Sequence, residues 1–202
     1  MNFKYKVLEN LIPETYQNIL LEMYDSSVAQ WAYLPNLSGI ETNELDVNDK
    51  NIVPSIGFTQ KVYQDNIGAT NNNWTFTAPL LWFLEHRTGI KVKHIDRVRA
   101  NLMVPNGNNN SSTYNEPHID NVDLDCLTML YYLNDSDGDT RIFDKNATQG
   151  FNDLTMIHSQ PHKKGDALIF PSNQFHCSSS PIVSNRRMNL NFVFYIQNPD
   201  EI

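Results

Sequence analysis

The residues best suited to chemistry are His118, Asp120 and His176. On an extended strand, residues two apart project to the same side, so an imidazole at 118 and a carboxylate at 120 can grip one ion while Ile119 faces away. His-x-Asp is frequent by chance and carries little alone. His176 gives it weight, because it follows Gly165-Asp166-Ala167-Leu168-Ile169-Phe170-Pro171, a turn and short apolar strand that would deliver it to a strand end. Two histidines and one carboxylate occupy one face of an octahedron and leave the other face open. That arrangement suits non-heme Fe(II) and its oxygen chemistry.

An open face needs an occupant, and the C-terminal segment suggests one. Residues 187–196 alternate, with Met188, Leu190, Phe192, Phe194 and Ile196 against Arg187, Asn189, Asn191, Val193 and Tyr195. A guanidinium inside a sheet is costly unless paired, and this strand carries no acidic residue to pair with Arg187. A dicarboxylate cosubstrate would satisfy it through a bidentate contact. Arg186 is the rival, but it shares its face with Met188, Leu190 and Phe192, so parity favours Arg187.

The elements that must position these groups follow from the same periodicity. Residues 97–104 put Val98, Ala100, Leu102 and Val104 on one face and Arg97, Arg99, Asn101 and Met103 on the other. Residues 127–133 put Leu127, Met129, Tyr131 and Leu133 opposite Thr128, Leu130 and Tyr132, and 167–170 read as a short apolar strand. Upstream, helical spacing marks 14–24 after Pro13 and about 77–88 before Gly89, with a strand over 56–63 and loops at 36–49 and 65–73. Strands in series with helices gathered upstream argue for an antiparallel sandwich or barrel with helices on one side. The polar strand face would suit solvent or an internal cavity; the metal ligands favour the cavity.

His118-x-Asp120, His176 and an arginine ten or eleven residues later resemble the signature of the Fe(II)/2-oxoglutarate-dependent oxygenase superfamily. Thr128-Met129-Leu130-Tyr131-Tyr132-Leu133-Asn134 and Gly165-Asp166-Ala167-Leu168-Ile169-Phe170-Pro171-Ser172 are similar to its prolyl 4-hydroxylase-like branch, and the resemblance covers residues 96–197. It implies a mainly β, α+β fold: a double-stranded β-helix (jelly roll) with the N-terminal helices packed on one sheet. Residues 96–202 would form the catalytic core and 1–95 a helical, loop-rich support, within one structural domain. It also implies Fe(II) on His118, Asp120 and His176 as the catalytic, metal-binding residues, with 2-oxoglutarate and O₂ as cosubstrates. Arg187 would bind the distal carboxylate of 2-oxoglutarate and Tyr132 would donate to it. The usual family spacing is slightly shorter and selects Arg186, so both arginines stay candidates.

The activity implied is that of a dioxygenase releasing succinate and CO₂ while hydroxylating a peptidyl or small-molecule substrate. A loop over 106–115, long and Asn-rich, precedes His118 where this branch meets its substrate, so substrate identity does not carry over. Two other readings use the same residues differently. One is a cupin-like isomerase or hydrolase working through Zn(II) or Mn(II) without 2-oxoglutarate; the other is a jelly-roll binding module without catalysis.

Composition narrows the partners. The chain has 202 residues and a net charge of −8, from 15 basic and 23 acidic side chains. That disfavours nucleic acid and anionic membranes, apart from a local Arg97/Arg99 patch. The first residues are mixed rather than an apolar leader, and no run approaches the ~18 apolar residues of a membrane span, so a cytoplasmic location is expected. Cys126 and Cys177 are then expected reduced, with Cys177 turned away from the metal. His158 and His162 are expected at the surface or behind the site, His86 at a helix C-terminus, and His94 without a partner.

Overall fold

A computed structural model describes residues 4–38, 49–107 and 109–199, so residues 39–48 of the expected 36–49 loop lie outside it. Helix α1 (Glu14–Tyr24) starts directly after Pro13, and Leu20 and Tyr24 fall on its buried face. Near the second expected helix the chain makes a single turn, α2 (Trp74–Thr77), and then α3 (Pro79–Thr88). Proline has no N–H to donate, and as the first residue of α3 it needs none. Gly89 ends α3 in the left-handed region at φ 78°, where its N–H bonds to Glu85.

The first half contains more strand than its periodicity suggests: β1 (Lys6–Leu8), β2 (Ala32–Leu34), β3 (Ile52–Val53), β4 (Gly57–Gln64) and β5 (Gly68–Ala69). The second half supplies β6 (Val92–Met103), β7 (Tyr114–Asn115), β8 (Cys126–Tyr132), β9 (Ser136–Asn146), β10 (Met156–His162), β11 (Ala167–Pro171), β12 (Gln174–Ser178) and β13 (Arg187–Ile196). The larger sheet runs β1-β11-β8-β13-β6-β4-β2, with β5 beside β4. Opposite it lies the three-stranded sheet β10-β9-β12, and β3 and β7 make a short parallel pair. This is the expected jelly roll, with β1, β2, β4 and β5 built into the same large sheet as the C-terminal strands. Among the described residues, no helix is long and apolar enough to cross a membrane.

One face of the large sheet makes the main core. Val98 and Ala100 of β6, Leu127, Met129 and Tyr131 of β8, and Met188, Leu190, Phe192 and Phe194 of β13 pack there with Leu20, Tyr24, Leu80 and Leu84 of the helices. Each large apolar side chain so buried contributes about 1.5–3 kcal/mol. The alternation read from sequence is therefore correct up to the end of β6, beyond which Val104 is exposed rather than in the core, and the helices cover the face it assigned to them. The other face looks toward the smaller sheet. There Leu130, Tyr132, Leu168 and Phe170 pack with Ile142 of β9, and the polar members of β6 and β13 line a cavity of about 170 Å³.

Candidate metal centre

His118 and His176 face each other across a single antiparallel bridge between the 118 segment and β12, with both N–H···O distances 2.9 Å. His176 lies mid-strand rather than at a strand end. After His118 the chain bends, and the N–H groups of Asp120 and Asn121 bond to Ser172 O at 2.8 and 3.1 Å. A bridge and a bend, not a regular strand, thus turn His118 and Asp120 toward the same point. One ligand atom from each of His118, Asp120 and His176 lies within 4.8 Å of the others.

Hydrogen bonds orient these ligands. His118 Nδ1 lies 3.1 Å from Glu116 O and His176 Nδ1 lies 3.0 Å from Gln174 O. Each carbonyl accepts the Nδ1 proton, which leaves Nε2 bare for a metal. Asp120 is gripped on both oxygens. Arg97 Nη2 donates to Oδ1 at 2.6 Å, the Thr128 hydroxyl donates to Oδ2 at 2.8 Å, and Asn191 Nδ2 sits 3.3–3.4 Å from both. Arg97 also donates to the Asp120 main-chain oxygen at 3.0 Å.

Burial alone would push the Asp120 carboxyl up, but His176, Arg97, His118 and the Thr128 hydrogen bond outweigh it and bring it down to about 2. Burial, aided by His118, pushes the His176 imidazole down to about 4. At neutral pH the 3.5 Å contact between His176 Nε2 and Asp120 Oδ2 is therefore a neutral imidazole beside a carboxylate, the protonation state a divalent metal requires. The residues present fit the metal.

At the inner end of the cavity, the buried Arg187 donates to Gly138 O at 3.1 Å and to Thr140 Oγ1 at 2.9 Å. Gly138 is required here: a Cβ would stand 2.3 Å from Ser179 O and 2.9 Å from Arg187 Cδ. Arg186 points the other way and pairs with Asp25 at the surface. Parity, not the usual family spacing, identified the inward arginine. Tyr132 is not part of the cavity wall; its hydroxyl donates to Thr140 Oγ1 at 3.0 Å, one residue behind it.

The sequence model of the 2OG-Fe(II) oxygenase superfamily matches residues 92–195, just over half of the chain. The chain belongs to that superfamily. Iron and 2-oxoglutarate are accordingly its cofactor and cosubstrate, and it is a 2-oxoglutarate-dependent non-heme iron dioxygenase. No curated protein matches it in sequence.

Solved structures share the fold at low identity. A Pseudomonas putida prolyl-4-hydroxylase matches with a TM-score of 0.55 at 14% identity, over 97% of this chain and 94% of that one. A Trichoplax adhaerens prolyl hydroxylase, in complex with a hypoxia inducible factor oxygen degradation domain peptide fragment, gives 0.57 at 17%, over 99% and 87%. The epimerase SnoN, in complex with Fe³⁺, α-ketoglutarate and nogalamycin RO, gives 0.60 at 12%, over 96% and 79%. Relatives of this fold thus accept a peptide or a small molecule.

Other residues singled out in sequence fall into place around the site. Arg97 and Arg99 line the cavity, on the face to which the alternation assigned them. His94 has a partner, stacking on Tyr195 at 4.3 Å. His162 is buried behind the site, tilted against the Tyr132 ring at 4.2 Å, while the partly buried His158 stacks on Tyr5 at 4.1 Å. Cys177 packs with Phe143 and Phe175 away from the ligands, and both cysteines are free. The grip of Arg97 on Asp120 was invisible in sequence, since nothing in the alternation says which polar neighbour a carboxylate will meet.

Proposed function

We propose that His118, Asp120 and His176 hold Fe(II), that Arg187 anchors the distal carboxylate of 2-oxoglutarate, and that the enzyme hydroxylates a small-molecule or peptidyl substrate. The observation that carries the assignment is the pair of bare Nε2 atoms converging with an ionised carboxylate in one cluster on the cavity wall, with His176 buried and His118 and Asp120 partly so. When bound, the iron and 2-oxoglutarate supply the oxidising chemistry, with succinate and CO₂ as by-products. The chain supplies the setting. His118 and His176 present their Nε2 atoms, with each Nδ1 turned to a main-chain carbonyl, and Asp120 stays ionised because Arg97 and Thr128 hold its charge. Arg187, kept cationic in a buried site, draws a dianion inward, with Thr140 and Asn189 beside it. Tyr132 acts through Thr140, orienting the hydroxyl that Arg187 also holds.

The test is anaerobic addition of Fe(II) and 2-oxoglutarate, watched for the metal-to-ligand charge-transfer band. Wild type develops the band. Arg187→Ala needs at least about tenfold more 2-oxoglutarate to reach it, the loss expected for a charge-assisted hydrogen-bonded pair, and Arg186→Ala does not. Absence of the band in wild type would sink the oxygenase assignment; a larger effect from Arg186 would transfer the anchor to that residue.

A further inference from the structure

Three guanidinium groups line the cavity, and one of them, Arg99, is used neither by the metal ligands nor by the anchor proposed for 2-oxoglutarate. Arg99 of β6 lies on the cavity wall, opposite Asn191 of β13, the residue beside Asp120. Among the described residues it makes no ion pair or hydrogen bond, and its Nε is buried without a partner. Burial, then the positive charge of Arg97, lower its pKa, so its charge is held at a cost.

A charge count isolates it. Arg97, Arg99 and Arg187 with a divalent metal bring five positive charges. Asp96 and Asp120, both paired to Arg97, and a 2-oxoglutarate dianion bring four negative ones. Among the described residues that line the cavity, the charge left over is that of Arg99. Its surroundings suit a mixed ligand: Asn101, whose Oδ1 accepts from the Thr59 hydroxyl at 3.1 Å, has amide N–H groups with no partner among the described residues, and Leu34 and Leu37 add apolar wall.

We infer that Arg99 is the substrate anchor and that the substrate is an aliphatic carboxylic acid, its carboxylate on Arg99 and its chain against Leu34 and Leu37. A single uncompensated charge matches a monocarboxylate better than a phosphate dianion. The inference rests on the oxygenase assignment above and specifies what that site receives.

The test uses the full chain loaded with Co(II), which reports binding through its visible absorption without turnover, and saturated with 2-oxoglutarate. Acetate, butyrate and hexanoate are titrated against their amides and against hexyl phosphate. At least one acid binds about tenfold or more tighter than its amide, Arg99→Gln removes that preference, and Arg99→Lys keeps most of it, while the 2-oxoglutarate half-saturation point stays within about twofold throughout. The inference is overturned if no acid is preferred over its amide in wild type, a result that needs no variant to fold. It is equally overturned if the preference survives in Arg99→Gln, if hexyl phosphate outcompetes every acid, or if the variant loses 2-oxoglutarate instead. A Co(II) spectrum that ignores 2-oxoglutarate overturns the oxygenase assignment, and this inference with it.

Discussion

Strands β6, β8 and β13 have two faces made by one backbone and governed by opposite rules. Toward the helices, Val98, Met129, Leu190 and Phe192 pack within one apolar cluster, and volume is what counts. Toward the small sheet, Thr128, Asn191, Arg97 and Arg187 each answer a particular atom. Inward polarity is costly in general. It is tolerated here because almost every group has a partner, and Arg99 stands out because its Nε has none among the described residues. The core face therefore sets stability and the cavity face sets chemistry, and variants should separate the two.

The largest effect on the core side is expected from Phe192→Ala. Truncating this fully buried ring costs about 3–5 kcal/mol in urea unfolding, while folded molecules still bind iron. On the cavity side, Asp120→Ala lowers metal affinity by equilibrium dialysis beyond the ~10–100-fold typical of a merely supporting residue. Retention of metal in that variant would dissolve the distinction between the faces.

Gly138→Ala comes next and crosses both faces' concerns. Its Cβ meets the Ser179 main-chain oxygen, which cannot move cheaply, so a loss of about 1–3 kcal/mol accompanies weakened 2-oxoglutarate binding.

Asp137 gives the smallest effect. Burial would raise its carboxyl, but the N–H groups of Val183, Ser184 and Ile182 hold it well below the usual carboxylate range. Because the folded pKa is depressed, the stabilisation is present above the unfolded value of 3.8 and disappears as pH falls further. Asp137→Asn should cost no more than about 1 kcal/mol near pH 6, given its exposure, with the gap to wild type closing below pH 4. A gap that widens in acid would contradict the sign.

Much of this division was legible in sequence, because a period of two writes both faces at once. The alternation over 97–104, 127–133 and 187–196 assigned the core, the cavity and Arg187. Strands β9 and β10 escaped. The first begins Ser136-Asp137-Gly138-Asp139, a turn-like run, and Pro161 interrupts the second. Their pairing comes from each other and from β12 rather than from local preference. In the site the ligand types were readable, but the bend that aims Asp120 depends on Ser172, more than fifty residues away.

The outer strands of the large sheet carry a kinetic consequence. β1 closes one edge by pairing Lys6 with Ile169, and β2 closes the other through β4. A ribosome makes residues 6–8 long before residues 167–171 exist, so that edge cannot form as the chain emerges. Until it does, β11 presents an unpaired apolar border of the kind that recruits other chains. Pairings of such long sequence separation are slow to form. Closure of this sheet edge is therefore a late event completed by residues made long before the strand they pair with, and deleting β1 should first be felt as aggregation during refolding rather than as lost iron.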